Sequence, residues 1–218
     1  MKIVGVSFDD EKKVYNFDTN KQTLELGDYV VVETERGLSF GKVVVEPYEV
    51  SQKDLGKSLK LVIRKAEISD LNAIISLRTE LLEYESTLME NDEYNLSWIS
   101  SDAGREDIKY FILDENALTF IAYVDDLPVG FICGELERKR DWEKIGNFCL
   151  TNLFVKEEYR GKNIGKVLLD SFKNEVFNEF LGKAQRIRVS CLYNNKDSIR
   201  FYEEFGFNKN VVELTMDV

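Results

Sequence analysis

A chain of 218 residues, 44% of them hydrophobic and 12% aromatic, is long enough to bury a core in one large domain or in two unequal domains. Its net charge of -11 argues against nucleic-acid binding, because neutralising phosphates requires a basic surface. The chain contains no histidine, so catalysis would depend on carboxylates, tyrosine, cysteine, water or the backbone.

Membrane, secretion and metal signals are absent from the sequence. No apolar run reaches the roughly 18 residues that a membrane span needs. The apolar start meets Asp9 and Asp10 before it could form the core of a signal peptide. The cysteines, Cys133, Cys149 and Cys191, are widely separated and odd in number, which predicts neither a disulfide framework nor a metal cluster. We therefore expect a soluble, cytoplasmic protein without a bound metal.

The first sixty residues predict a small all-β domain. Segments such as "KIVGVSF" and "DYVVVET" are short, rich in β-branched and aromatic residues, and separated by turn signals. Four or five such strands would form a barrel-like domain over residues 1–47. Residues 48–60 are polar and lack sustained periodicity, so they are the predicted linker.

From residue 61 onwards, strand-like and helix-like segments alternate. This pattern predicts an α+β domain with a mixed sheet over residues 61–218. The segment "SDLNAIISLRTELLEYES" carries its apolar residues along one helical face, and "NFCLTNLFV" is apolar on both faces, as a central strand is. The final predicted elements are a strand at "RIRVSCL", a helix at "NKDSIRFYEEFG" and a closing strand at "VVELTMDV".

The segment "YRGKNIGKVLLDSF", residues 159–172, sets two glycines and three basic side chains around the start of a predicted helix. The unpaired backbone amides of a helix start attract anions, and glycine lets a ligand approach the backbone closely. Gly161 and Gly165 are one residue too close for a nucleotide-binding P-loop, and Val167 replaces the hydroxyl that such a loop needs. The sequence therefore predicts an anion site of a different kind.

This loop resembles the acetyl-CoA pyrophosphate loop of the GNAT superfamily of N-acetyltransferases. In that pattern an Arg or Gln precedes two residues, a Gly, one residue, and a Gly or Ala. Arg160 takes the first position and Gly165 the last, while Asn163 replaces the usual first glycine. Asparagine is the side chain that best tolerates left-handed backbone angles.

A second segment, "NNKDSIRFYEEFGF", resembles a later motif of the same superfamily, with Asn195, Ser198 and Tyr202 at its characteristic positions. The resemblance covers residues 60–218 and implies a GNAT-like mixed central sheet flanked by helices. It also implies acetyl-CoA as the acyl donor. The residues that would contact the donor are Leu153, Phe154, Val155, Arg160, Gly161, Lys162, Asn163, Ile164, Gly165, Lys166, Asn195, Ser198 and Tyr202.

The resemblance further implies direct transfer of the acetyl group from the thioester to a primary amine. Tyr202 matches the general acid of the family, which protonates the departing thiolate. Many family members place a glutamate base on the strand before the loop, but this chain has Thr151 and Asn152 there. The routes left open for the amine proton are Glu83, Glu85, Glu135 and a water chain.

The acceptor is expected to be a small-molecule or peptide amine. The segment "EYESTLMENDEYN", residues 83–95, concentrates acidic side chains, which would attract a cationic acceptor such as a polyamine, an aminoglycoside or a lysine-bearing peptide. An ordinary solvated acidic face is the alternative explanation.

The N-terminal segment resembles the β-rich start of the bacterial stage-zero sporulation regulator family, and "GDYVVVETERG" carries most of that similarity. Two roles stay open for it, packing on the transferase domain or binding a protein partner. For the whole chain, the alternative to an N-acetyltransferase is a non-catalytic, acyl-CoA-binding regulatory protein. A third hypothesis, a pure interaction protein on this fold, predicts no cofactor binding.

Overall fold

A computed structural model of the chain describes residues 2–8, 14–19, 22–34, 37–49, 57–89, 94–124 and 126–213. Its strands are β1 (Lys2–Ser7), β2 (Val14–Asp18), β3 (Tyr29–Thr34), β4 (Gly37–Glu49), β5 (Lys57–Lys65), β6 (Ala117–Val124), β7 (Leu127–Leu136), β8 (Asn147–Val155) and β9 (Arg186–Val189). The helices are α1 (Leu71–Ser86), α2 (Leu96–Ser100), α3 (Asp102–Leu113), α4 (Ile164–Glu179) and α5 (Lys196–Glu204). No helix among these residues is long and apolar enough to cross a membrane.

The strands form one sheet in the order β2-β1-β4-β3-β5-β6-β7-β8-β9, and its first five members curl into a barrel. The barrel closes because β2 also pairs in parallel with the start of β5. Its interior contains the side chains of Val4, Val6, Phe17, Leu24, Val30, Val32, Val43 and Val62. The expected α+β fold with a barrel-like N-terminal β-unit is confirmed.

Strand β5 belongs to the barrel and to the second half of the molecule. It pairs with β3 on one side, and residues 61–65 pair with β6 on the other. Successive side chains of a strand point to opposite faces. Val62 accordingly lies in the barrel core, whereas Leu61 and Ile63 lie in the core beneath α4.

The predicted linker, residues 48–60, overlaps both β4 and β5, because β4 extends to Glu49 and β5 begins at Lys57. Residues 50–56 lie outside the described residues. The division of the chain into domains 1–47 and 61–218 stays a prediction.

Helices cover both faces of the second half of the sheet. On one face, α1 and α3 pack against Ile121, Phe131 and Phe154. On the other face, α4 packs against Phe120, Phe148 and their neighbours. The expected mixed sheet flanked by helices is present, because β9 runs parallel to β8 while the other neighbours in this half are antiparallel.

Strands β8 and β9 separate part-way along their length. They pair from Asn147↔Arg186 to Leu150↔Val189, after which β9 ends and β8 continues beside β7. The register of β8 against β7 shifts at the same point, so that Thr151 is an inserted residue of a β-bulge. Beyond it, no strand of the described chain pairs with residues 151–155 on the β9 side.

Two predicted strands at the C-terminal end differ from the structure. The strand expected at 186–192 ends at Val189, because the chain leaves the sheet there and turns towards α5. The closing strand expected at 211–218 is not formed over residues 211–213, where Val211 and Val212 are exposed. Residues 214–218 lie outside the described residues.

A buried ionic network fixes the start of α1 against strands β5 and β6. The Asp70 carboxylate accepts hydrogen bonds from the Arg64 guanidinium at 2.7 and 2.9 Å and from the Tyr123 hydroxyl at 2.7 Å. The backbone N–H of Glu67 donates a further hydrogen bond at 2.8 Å. Burial alone would raise the pKa of Asp70, but these hydrogen bonds hold that pKa below its ordinary value.

We expect Asp70→Asn to lower the free energy of unfolding by roughly 3 kcal/mol at pH 7, because it leaves the half-buried Arg64 without its carboxylate. Since the pKa of Asp70 is lower in the folded state, the contribution of this carboxylate is complete above its unfolded pKa of about 3.9 and declines as the pH falls further. Urea unfolding of both proteins at pH 7 and pH 3 measures this. An equal difference at both pH values would contradict the assignment.

Candidate active site

A cavity of about 750 Å³ opens where β8 and β9 separate. Six parts of the chain line this cavity: the end of α1, the second half of β8, the loop before α4, α4 itself, the segment after β9, and α5. Of the donor-binding residues expected from the sequence, all line this cavity except Lys162. The Lys162 ammonium instead lies 4.9 Å from the centre of the Tyr159 ring.

The loop before α4 turns through two left-handed residues. Gly161 has a φ of +73° and Asn163 a φ of +64°, so the expectation that asparagine adopts the left-handed conformation is confirmed. The N–H of Val167 donates to the carbonyl of Asn163 at 3.0 Å. The amides of residues 164–166 precede that bond and have no acceptor within the helix. All three residues line the cavity, which therefore has the positive end of a helix in its wall.

Gly165 lies where the helix start approaches β8 and α5. A methyl group at this position would lie 3.6 Å from the Phe201 ring and 3.7 Å from Val155, which are ordinary contact distances. Alanine therefore fits, whereas a longer side chain has to extend into the cavity.

Arg160 connects the loop to the two elements beside it. Its Nε donates a hydrogen bond to the carbonyl of Val155 at 3.0 Å. Its guanidinium carbon lies 4.9 Å from the centre of the Tyr84 ring on α1 and 5.9 Å from that of Phe154. The cation is thus fixed at the cavity wall.

Lys173 also lines the cavity and was not identified from the sequence. It follows Lys166 by seven residues, which places both on one face of α4, and this helical spacing was the signal that could have identified it. Neither lysine forms an ion pair with a carboxylate in the described part of the chain. Together with Arg160, they give this wall a positive charge.

Residues 153–155 of β8 form an extended wall of the cavity. One edge of this segment pairs with β7, while the other faces the space that β9 has left. An unpaired strand edge presents N–H and C=O groups to any extended, amide-containing ligand.

Tyr202 projects from α5 into the cavity wall. The Asn195 side chain caps this helix by accepting a hydrogen bond from the N–H of Ser198 at 3.1 Å. The Tyr202 ring is 7% exposed and packs against the rings of Phe201 and Phe207. Its hydroxyl makes no hydrogen bond to any described residue. Burial raises the pKa of Tyr202 well above its ordinary value, so the hydroxyl keeps its proton at neutral pH.

The three glutamates considered for the amine proton lie in different environments. Glu85 lines the cavity and accepts a hydrogen bond from the Tyr94 hydroxyl at 3.3 Å. Glu83 is exposed, and Glu135 accepts a hydrogen bond from the Tyr110 hydroxyl at 2.9 Å; neither lines the cavity. Burial raises the pKa of Glu85, although the bond from Tyr94 opposes the effect.

Cys191, in the segment after β9, is a further titratable group of the cavity wall. Burial raises the pKa of this thiol to about 11, so it is neutral at physiological pH. Within the described part of the chain, no three His, Cys, Asp or Glu side chains are grouped so that they could hold a metal ion.

A family model described as "Acetyltransferase (GNAT) family" matches residues 80–207, more than half of the chain. The chain belongs to the GNAT family of acetyltransferases. The matched region begins within α1 and ends after α5, and it contains all the described residues that line the cavity.

Several curated proteins are similar to parts of this GNAT chain. The spermine/spermidine N(1)-acetyltransferase of Bacillus subtilis is 37% identical over 89 residues, which are 40% of this chain and 57% of that protein. The N-alpha-acetyltransferase of Saccharolobus solfataricus is 27% identical over 170 residues, 74% of this chain and 87% of that protein. The stage 0 sporulation protein YaaT of Bacillus subtilis is 36% identical over 80 residues, 37% of this chain and 29% of YaaT. The chain therefore spans less than two thirds of the length of either Bacillus protein.

Solved GNAT structures share the fold. The PaiA N-acetyltransferase of Thermoplasma acidophilum, in complex with coenzyme A, has a TM-score of 0.59 at 25% identity and covers 70% of this chain and 92% of its own. An aminoglycoside N-acetyltransferase in complex with CoA has a TM-score of 0.56 at 17% identity, over 72% of this chain and 94% of its own. At 17% identity the second likeness shows the fold alone.

We expect Gly165→Glu to abolish CoA binding, because it places a carboxylate among the amides at the start of α4, where the pyrophosphate would lie. Gly165→Ala is the matched control, since a methyl group makes only ordinary contacts there. Excess CoA should raise the melting temperature of the wild type and of the alanine variant by several degrees, and that of the glutamate variant not at all. An equal increase in all three proteins would contradict this placement of the pyrophosphate.

Proposed function

We propose that this GNAT protein transfers the acetyl group of acetyl-CoA to a primary amine by direct attack of the amine on the thioester. The observation that carries the proposal is the composition of the cavity wall. One continuous space is lined by a helix start with free amides, an unpaired strand edge, a protonated tyrosine and a partly buried carboxylate.

In the proposed complex, the phosphates of CoA lie against the positively charged wall of the cavity. The free amides of residues 164–166 would bind the pyrophosphate, and Arg160, Lys166 and Lys173 supply cations for the CoA phosphates. The pantetheine arm contains two amides, so it can pair with residues 153–155 as an added strand does. Lys162, which lies outside the cavity wall, is the weakest of the expected contacts.

The chemistry requires stabilisation of two developing charges. As the nitrogen–carbon bond forms, negative charge grows on the thioester oxygen, and a backbone N–H of β8 can stabilise it by a hydrogen bond. As the carbon–sulfur bond breaks, the thiolate needs a proton. The Tyr202 hydroxyl retains its proton at neutral pH and has no competing hydrogen bond within the described chain, so it is the proposed general acid.

The proposed acceptor is a small, cationic amine. Three acidic residues of the described chain line the cavity and favour the approach of a positively charged amine: Glu85, Asp197 and Glu204. The 37% identity with the spermine/spermidine N(1)-acetyltransferase of Bacillus subtilis supports a polyamine as the first acceptor to test. The acidic segment 83–95 was the sequence feature that suggested a cationic acceptor. The structure describes this segment except for residues 90–93.

None of the N-terminal barrel residues that the structure describes lines the cavity. We propose that it acts as a protein-binding module attached to the transferase, supported by its similarity to part of YaaT. The cytoplasmic location stays a prediction.

We expect Tyr202→Phe to lower kcat by about 10²- to 10⁴-fold, the usual contribution of a general acid, while the Kd for CoA stays the same. Tyr193→Phe is the matched control, because Tyr193 is 81% exposed and does not line the cavity. The measurement is release of CoA thiol from acetyl-CoA in the presence of spermidine, with CoA affinity determined by calorimetry.

Two outcomes would contradict different parts of this proposal. A wild type that binds acetyl-CoA but acetylates no amine in a panel of polyamines, aminoglycosides and lysine peptides would favour the regulator. Equal turnover by the wild type and Tyr202→Phe would remove Tyr202 from the chemistry.

A further inference from the structure

The proposed reaction needs a group that removes a proton from the acceptor. An alkyl ammonium has a pKa of about 10.4 and is almost fully protonated at neutral pH, and only the neutral amine is a nucleophile. On β8, neither Thr151 nor Asn152 can accept this proton. The side-chain oxygen of Asn152 also accepts a hydrogen bond from the Cys133 thiol, at 3.6 Å.

Among the described residues, three carboxylates line the cavity, and their positions distinguish them. Asp197 and Glu204 lie on α5 and are exposed. Residues two apart on a helix point in nearly opposite directions, so Glu204 points away from Tyr202. Only Glu85, at the end of α1, is partly shielded from solvent.

Glu85 also shares its surroundings with the proposed acid. Burial and the neighbouring Cys191 raise the pKa of Tyr202, and the charge of the Glu85 carboxylate raises it further. Burial also raises the pKa of Cys191, and the Glu85 charge adds to that effect. All three groups, from α1, α5 and the segment after β9, line the same cavity.

We propose that Glu85 is the general base of the reaction and that Tyr94 is its positioning residue. This inference rests on the proposed function. Glu85 removes one proton from the bound ammonium, directly or through one water, and the freed amine attacks the carbonyl carbon. The carbon–sulfur bond breaks as Tyr202 protonates the sulfur, the second proton of the attacking nitrogen restores Tyr202, and Glu85 releases its proton to solvent. Each turnover yields one amide, one CoA thiol and one proton.

The surroundings of Glu85 suit a base. Burial raises its pKa towards neutrality, and a base is most effective when its pKa lies near the working pH. The Tyr94 hydroxyl donates to one carboxylate oxygen at 3.3 Å, which restricts the orientation of the group and leaves the other oxygen for the amine. Among the described residues, the titratable groups that face Glu85 are Tyr94, Cys191 and Tyr202, and burial raises the pKa of both Cys191 and Tyr202. The Arg160 cation lies over the ring of the preceding Tyr84.

Glu85→Gln should lower kcat with spermidine by about 10²- to 10⁴-fold and leave the Kd for CoA unchanged. The acidic limb of the pH profile of kcat/KM, which reports the deprotonation of Glu85 in the wild type, should also disappear. Glu83→Gln is the matched control, because Glu83 lies two residues away on α1, is exposed and does not line the cavity. It should behave as the wild type does.

The Tyr94→Phe variant supplies a second measurement, the position of the acidic limb of kcat/KM. This position would not change if Glu85 had a purely structural role. The hydrogen bond from Tyr94 lowers the pKa of Glu85, so its loss should move the acidic limb of kcat/KM to higher pH. If Glu85→Gln does not fold, as judged by circular dichroism and CoA binding, this displacement decides the question.

The outcomes separate this inference from the proposed function. No acetylation of any amine by the wild type would overturn the proposed function, and the inference with it. Turnover by the wild type with an unchanged kcat and an unchanged acidic limb in Glu85→Gln would overturn the inference alone. An unmoved acidic limb in Tyr94→Phe would likewise contradict the role of Tyr94.

Discussion

The separation of two parallel strands determines what this molecule can bind. While β8 and β9 pair, every backbone group between them is used by the sheet, and no ligand can enter. Once β9 ends at Val189, the edge of β8 is free, and the chain after β9 leads into α5 on the far side of the gap. The start of α4, the edge of β8 and the face of α5 with Tyr202 are thereby brought around one cavity.

The same sheet carries the barrel, because β5 is a strand of both halves. One face of β5 supplies residues to the barrel core and the other face to the core beneath α4. Disturbing β5 in one core therefore disturbs the other core as well. The network of Arg64, Asp70 and Tyr123 then ties β5 and β6 to the start of α1, the helix whose far end carries Glu85. Stability and the position of the proposed base are linked through this helix.

Local features of the fold could be predicted from the sequence, whereas features set by distant partners could not. The loop at 159–166 and the helix bearing Tyr202 follow from residue types at fixed spacing, and the left-handed Asn163 follows from its side chain. The shared role of β5 depends on pairing with strands far apart in sequence, which no local pattern encodes. Glu83 and Glu85 are chemically identical in the sequence, and only the packing of α1 against the cavity distinguishes them.

A crystal structure of the protein in complex with CoA would show directly where the ligand lies. We predict the pyrophosphate at the amides of residues 164–166, the pantetheine arm alongside residues 153–155, and the sulfur atom within hydrogen-bonding distance of the Tyr202 hydroxyl. CoA bound elsewhere, or bound with its sulfur remote from Tyr202, would contradict the account. In that case the space between β8 and β9 would belong to a different ligand.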